Sequence, residues 1–438
     1  MEDSALGTSV GPWCAPGRSE QTQGTGWVTG LVTGLLPDRK VPASFTQDVV
    51  IIGGCGHVGL PLGIALADRG LSITLYDHNT HAVETVNAGG LPFQEEGAQV
   101  KLQNALDRGT LRASADPAVM SAAEHVVVVV GTPVDEHLNP DPRAITLALA
   151  SCLPHFVDGQ LVILRSTVYP GVTASVEKTF AEFGLDVDVV FCPERIAEGR
   201  AMTELFSLPQ IVSARTERGF ERASHLFSRL TSRIVRLEPE EAELAKLFTN
   251  TWRYIQFATA NQFFMIANDF GLDFAKIRSA VMDGYPRASG MPGPGFAAGP
   301  CLFKDTMQLG AFNDNNFALG HAAMLVNEGL PLYVVSKLAQ QCDLAQTTVG
   351  LLGMSFKAGS DDTRESLSYK LKRILQFRAR AVVCSDPFVT TDPSLLPLER
   401  VLEADVLIIA TPHEQYASLQ TDKPVIDIWN LRGEGARA

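Results

Sequence analysis

The chain has 438 residues, enough for about three folding units at roughly 150 residues each, so it can bury sizeable cores without cross-links. Its 36 basic and 49 acidic side chains leave a formal net charge of −13, which argues against nucleic acid or an anionic membrane as partner; any phosphate site must be local. With 45% hydrophobic and 19% charged residues, and no run near the ~18 apolar residues of a membrane span, the composition is that of an ordinary globular protein. Seven cysteines, at 14, 55, 152, 192, 301, 342 and 384, are scattered and never form a C-x-x-C pair. That pattern fits a reducing, cytoplasmic setting and suggests neither a disulfide framework nor a zinc site.

In chain order, residues 1–46 are rich in Gly, Ser and Thr and carry Glu2 and Asp3 where a signal peptide wants positive charge, so a loose extension is expected there. An apolar run at 48–52 then flows into glycines and a helical pattern over 58–69, and a second strand follows at 73–77. Further apolar runs at 125–131, 161–166 and 187–192 alternate with helical segments, which predicts a mostly parallel sheet covered on both faces. Glu238 and Pro239, followed by more carboxylates, read as the start of a long helix reaching about residue 270. Helical patterns at 273–283 and 320–340 flank a Gly/Pro-rich loop at 286–300, and strand–helix alternation resumes at 349. The expected units are an extension (1–46), an α/β unit (47–234), a helical middle (235–335) and a second α/β unit (336–438).

Gly54-Cys55-Gly56-His57-Val58-Gly59 supplies G-x-G-x-x-G between a strand and a helix, and Asp77 ends the next strand. Glycines there allow a pyrophosphate to approach the helix N-terminus, while an acidic residue accepts from an adenosine ribose and repels a 2′-phosphate, so NAD is the expected cofactor. Cys301 sits at an apparent helix start, beside Lys304 and one turn before Asp305. Both surroundings lower a thiol pKa, which makes Cys301 a candidate nucleophile; a structural cysteine with a capping aspartate is the alternative. Lys246 and Asn250, four apart, share a helix face that either aims two donors at an oxyanion or is a solvated stripe. Glu194 and Glu198 follow a strand, where ligands gather in α/β sheets, although loop glutamates are often merely solvated. Thr132 with Pro133, and Ser166 with Thr167, hold the same kind of strand-end position. Phe356, Lys357 and Arg364 precede a helix in the second α/β unit and could cradle an anion. No H-x-H or H-E-x-x-H pattern occurs, so no metal is expected.

Taken in order, Gly54-x-Gly56-x-x-Gly59, Val130-Gly131-Thr132-Pro133, Ser166-Thr167-Val168-Tyr169-Pro170-Gly171, Pro193-Glu194-Arg195-Ile196-Ala197-Glu198, Lys246 with Asn250, Gly299-Pro300-Cys301-Leu302-Phe303-Lys304-Asp305 and Phe356-Lys357 with Asp362-Thr363-Arg364 resemble the UDP-glucose/GDP-mannose dehydrogenase family of nucleotide-sugar 6-dehydrogenases. The resemblance runs over about residues 48–430. It implies an α/β fold of two Rossmann-like doubly wound parallel-sheet domains joined by a long central helix, and a homodimer or higher homo-oligomer around that helix. It also implies NAD-dependent four-electron oxidation of a hexose C6 hydroxymethyl to a carboxylate, with no metal.

By the same resemblance Cys301 forms a thiohemiacetal and then a thioester. Lys246 and Asn250 stabilise oxyanions, Asp305 with Thr167 handles water, and Glu198 with Glu194 supplies carboxylates at the reacting carbon. Gly54, Gly56, His57, Val58, Gly59, Asp77, Thr132, Pro133, Ser166, Thr167, Glu198, Lys304 and Arg364 would hold NAD. Glu194, Arg195, Lys246, Asn250, Arg287, Gly295, Phe296, Phe356 and Lys357 would meet the nucleotide-diphosphate sugar. His57 stands where an aromatic Tyr or Phe is usual, and the loop before Cys301 is one residue longer than in typical UDP-glucose enzymes, closer to the N-acetylhexosamine branch. UDP-glucose or dTDP-glucose is the first expected substrate, and UDP-N-acetylglucosamine or UDP-N-acetylmannosamine the alternative. A two-electron hydroxyacid-type dehydrogenase and a silent NAD-binding protein are the other classes weighed.

Overall fold

Gln47–Ile52 forms strand β1 and buries Val49, Val50 and Ile51 completely. An uninterrupted apolar strand needs cover on both faces, as parallel sheets have between helical layers. Alternate residues serve different layers: Val49 and Ile51 pack with Leu60 and Ile64, whereas Val50 and Ile52 pack with Val126 and Phe156. In the computed structural model, residues 45–132, 144–297, 299 and 301–438 are described. The expected extension up to residue 44, with Cys14, and also Pro133 and Pro300 lie outside them.

Seven more strands complete the first sheet: β2 (Ile73–Tyr76), β3 (Leu111–Ser114), β4 (Ala123–Val128), β5 (Leu161–Leu164), β6 (Asp188–Phe191), β7 (Gln210–Ala214) and β8 (Ile234–Leu237). Their spatial order is β3-β2-β1-β4-β5-β6-β7-β8, parallel throughout except where β7 meets β6. The helices of this part are α1 (Gly59–Asp68), α2 (Thr80–Asn87), α3 (Ala98–Asp107), α4 (Ala144–Ala150), α5 (Val172–Glu182), α6 (Ala201–Ser207) and α7 (Glu217–Phe227). Strand order reverses between β1 and β4, and in doubly wound sheets the carboxyl ends at that switch open a ligand crevice. The apolar run expected at 125–131 leaves the sheet after Val128, and Val130 N–H donates to Ser166 Oγ at 2.8 Å.

A single helix, α8 (Pro239–Asp269), follows; its 31 residues span roughly 46 Å at 1.5 Å per residue. Pro239 occupies its first position, and Glu238 with Glu241 forms a reciprocal capping box, so the predicted start holds. Buried Glu243 accepts from Gly171 N, Thr173 N and Thr173 Oγ1, tying α8 to the start of α5. Three more helices, α9 (Phe274–Met282), α10 (Leu302–Phe312) and α11 (Ala318–Gln341), surround it. The second sheet has four parallel strands, β9 (Thr348–Leu352), β10 (Ala381–Ser385), β11 (Val406–Ile409) and β12 (Val425–Ile426), in the order β10-β9-β11-β12. Helix α12 (Leu367–Gln376) and a short α13 (Leu398–Val401) pack beside it. Two parallel-sheet units and a long helix between them are therefore the architecture. Among the described residues no helix is long and apolar enough to cross a membrane.

Candidate active site

The turn after β1 is shaped as the glycine spacing requires. A Cβ on Gly59 would lie 2.4 Å from Gly53 O, so only glycine lets α1 pack this closely on the strand end. At Gly56 the nearest atom to a built Cβ is 3.5 Å away and the turn is open, leaving room for a ligand above the start of α1. Val58 is the N-cap of α1. Asp77 is buried just beyond β2; its Oδ2 accepts from Cys55 N and its Oδ1 from Asn79 N, so the carboxylate also fixes the glycine turn. These residues fit an adenine dinucleotide.

Across the crevice, Cys301 is the N-cap of α10, as its sequence position predicts. Asp305 N–H donates to Cys301 O at 2.9 Å, one turn on. Lys246 and Asn250, both buried on α8, face this helix start, and Asn250 Nδ2 donates to Asp305 Oδ2 at 2.5 Å. The pair is therefore not a solvated stripe. Cys301, Lys246, Asn250 and Glu198 line one cleft with Phe296, Phe356 and Lys357.

The expectation of a lowered thiol pKa fails. Cys301 is exposed as a residue, yet desolvation of its thiol in the crowded cleft, followed by the nearby Asp305 charge, pushes its pKa up; Lys246 and Lys304 act in the opposite sense but do not prevail. Lys304 is drawn across the crevice, its Nζ donating to Thr132 Oγ1 at 2.9 Å and approaching Asp305 Oδ1 at 3.6 Å.

Buried Asn261 on α8 holds the loop before the thiol by its backbone, donating to Gly295 O at 3.0 Å and accepting from Gly295 N at 2.8 Å. Gly295, at φ +152°, packs against the Trp429 ring, and Gly299, at φ +102°, against the Phe356 ring, each too closely for a Cβ. Phe296 stands edge-on to Trp429, 6.2 Å between centroids.

Glu198 is where the two α/β units meet. Its backbone carbonyl accepts from Lys357 Nζ, and Arg364, paired with Asp362, approaches its carboxylate at 3.9 Å. Glu95 holds the following residues by accepting from Gly199 N and Ala201 N. Burial, then the Asp362 charge, raises the Glu198 pKa to about 7. On the other unit, buried His413 accepts from Gly359 N at 3.1 Å and contacts Asp386 at 3.1 Å, while Ser355 Oγ donates to Lys357 O. This network shapes the loop presenting Phe356 and Lys357.

Several predicted residues lie elsewhere. Glu194 is buried against Arg165; its other oxygen accepts from Arg195 N and Ile196 N, so it shapes the loop rather than facing the thiol. Arg165 lowers its pKa against the burial that raises it. Arg195 donates to Pro209 O and is outside the cleft lining. Arg287 is likewise outside it, over its own Tyr285 ring at 5.4 Å. Thr167 is half-buried in the β5–α5 segment and does not line the cleft, and buried Ser166 anchors Val130. Pro133 is outside the described residues. Arg253, Phe257 and Trp429 line the cleft unpredicted. The spacing 246, 250, 253, 257 along α8 marks one helix face and could have found the first two.

Family models match three consecutive stretches. These are the NAD binding domain of the UDP-glucose/GDP-mannose dehydrogenase family over residues 47–231, its central domain over 240–328 and its UDP binding domain over 350–433. A protein of Ralstonia nicotianae named NDP-N-acetyl-D-galactosaminuronic acid dehydrogenase is 29% identical, covering 88% of this chain and 95% of its own. The structure of a UDP-D-ManNAc dehydrogenase from Pyrococcus horikoshii is similar at TM-score 0.80 and 27% identity, covering 85% of this chain and 91% of that one. A UDP-glucose dehydrogenase from Pyrobaculum islandicum is similar at TM-score 0.81 and 28% identity, covering 90% and 96%. With its glycine turn, its cysteine-bearing helix start and its two parallel-sheet units all matched, the chain belongs to the UDP-glucose/GDP-mannose dehydrogenase family, an NAD-dependent oxidoreductase family acting on nucleotide sugars.

Proposed function

We propose that this protein oxidises the C6 hydroxymethyl of a UDP-N-acetylhexosamine to the uronate, using two NAD+ per sugar. The observation that carries the proposal is the meeting of Cys301, Lys246, Asn250 and Glu198 on one cleft with Phe356 and Lys357. The acetamido sugar replaces glucose as the first choice on two grounds. Relatives such as the R. nicotianae and P. horikoshii proteins are named for N-acetylated sugars, and the loop before Cys301 carries the extra residue. UDP-glucose remains the second reading, favoured by the likeness to the P. islandicum structure.

NAD, when bound at the glycine turn and Asp77, accepts a hydride at each oxidation. Residues 47–234 would hold it, and residues 336–438 the sugar nucleotide through Phe356 and Lys357. The first oxidation leaves an aldehyde, which has no further hydride to give until a nucleophile adds to its carbonyl. Cys301 Sγ adds, its proton leaves to a nearby carboxylate, and Lys246 and Asn250 donate to the oxygen that becomes negative. The second oxidation leaves a Cys301 thioester. Water, oriented by Asp305 or Glu198, opens it to uronate and free thiol, for an overall release of three protons. The apolar surface of α8 and α11, with Phe248, Trp252, Phe263, Leu325 and Leu332 exposed, is proposed as the homodimer face.

A panel of UDP-N-acetylglucosamine, UDP-N-acetylmannosamine, UDP-N-acetylgalactosamine, UDP-glucose, dTDP-glucose and GDP-mannose, read as kcat/KM by NADH formation, tests the substrate. An acetamido sugar should lead by at least ~10-fold, the usual worth of one satisfied group in a pocket. A lead for UDP-glucose would reverse the choice.

A further inference from the structure

We propose that His57 is the proton partner of Glu198, taking protons that Glu198 collects from the reacting centre and passing them to solvent. The proposal rests on the reading of Glu198 as a working carboxylate. His57 lies in the glycine turn, its ring tilted on Phe93 at 4.0 Å between centroids. Its Nδ1 is 3.4 Å from Glu198 Oε1. That nitrogen is buried and has no hydrogen-bond partner among the described residues, so a movement of about half an ångström would make Glu198 its partner at ordinary hydrogen-bond length. The side chain as a whole is 27% exposed, so although Nδ1 is enclosed, part of the residue meets solvent. His57 thus stands beside Glu198, which lines the Cys301 cleft, with part of its side chain open to solvent.

The charged groups around the pair are Arg364, Lys357, Asp362 and Asp361. Burial first, then Arg364, lowers the His57 pKa to about 4, whereas Glu198 is raised to about 7. Near neutrality the pair thus carries at most one transferable proton, located on the carboxyl, with His57 neutral and able to accept. His57, Glu198 and Asp362 are also close enough to grip a cation. Arg364 already pairs with Asp362 and approaches Glu198, and Lys357 Nζ sits on the Glu198 carbonyl, so the cluster has its positive charge. The transfer balances: a proton leaves Glu198 Oε1 for His57 Nδ1, and one leaves Nε2 for water. The ring then returns to its starting tautomer by exchange with solvent. Tyr or Phe at this position would keep the stack on Phe93 and lose the relay.

The test compares wild type with His57→Phe. The variant should lose on the order of 10-fold in kcat, below the full worth of a general base because Glu198 remains. Its KM for the sugar should stay within about 2-fold, and added imidazole at saturating NAD should restore kcat in proportion to its concentration. An unchanged kcat, or a loss that imidazole does not relieve, would overturn the relay. A second measurement needs no turnover and so separates this idea from the proposed reaction. NMR of the labelled His57 ring in cofactor-free enzyme should show a perturbation near pH 7 that disappears in Glu198→Gln. Identical titrations in the two proteins would sink the coupling even if wild type oxidises its sugar normally. A wild type inert toward every sugar nucleotide, with the coupling intact, would instead count against the proposed function.

Discussion

The side-chain amide of Asn250 on α8 donates to the carboxylate of Asp305 on α10 at 2.5 Å, joining the helix that carries Lys246 to the helix that begins at Cys301. The bond orients Asp305 while its other oxygen has no hydrogen-bond partner among the described residues. Two charges of opposite sign then act on one thiol.

Those charges can be read separately. Asp305 raises the Cys301 pKa and Lys246 lowers it. Asp305→Asn should therefore lower the thiol pKa and speed iodoacetamide alkylation at pH 7 several-fold. Lys246→Ala should slow alkylation by a similar factor. Both should cut turnover, so reactivity and catalysis move apart in the first variant and together in the second. Equal alkylation rates in all three proteins would show that neither charge reaches the sulfur.

Gly295 tests the loop. A methyl group there would lie 2.0 Å from Cζ3 of Trp429 on a backbone at φ +152°, so Gly295→Ala must displace the ring or the loop. We expect kcat/KM to fall at least ~10-fold through misplacement of Cys301. Adding Trp429→Ala should recover part of the loss, because it removes the obstacle but not the backbone strain. A double variant as poor as the sum of both singles would mean that the ring is not what the methyl meets.

The second sheet carries a pH signature in its stability. Burial raises the Asp386 pKa, but hydrogen bonds from His413, Met354, Ser355 and Phe388 outweigh it and hold the carboxyl down at about 2, against an ordinary 3.8. A depressed carboxyl stabilises the fold above its unfolded pKa and loses that contribution as pH falls from about 4 through 2. The shift is worth roughly 2 kcal/mol. Asp386→Asn should cost about that much in urea denaturation at pH 7, with the gap to wild type closing toward pH 2. A gap independent of pH would assign the cost to packing alone.

The sequence made the chemistry-bearing turns legible because each one is short and local. Gly59 allows close packing on the strand end, Pro239 starts a helix and Cys301 caps one, and each requirement is written within a few residues. What it could not show is pairing across long separations. Glu194 looked like a site carboxylate until Arg165, 29 residues earlier, was found beneath it. Arg287, which the family resemblance puts at the sugar nucleotide, stands over Tyr285. The thiol pKa departs from expectation for the same reason: helix start and lysine are visible in sequence, whereas desolvation by the surrounding cleft is not. Trp429 reaches the cleft from β12's far end, and no periodicity near Cys301 points to it.

The central claim is a four-electron oxidation through Cys301, and NADH counted per sugar consumed tests it most directly. Wild type should release two NADH for each uronate formed, and Cys301→Ser should stall before the second. One NADH per sugar with the wild-type enzyme, or full turnover to uronate without the thiol, would contradict the account.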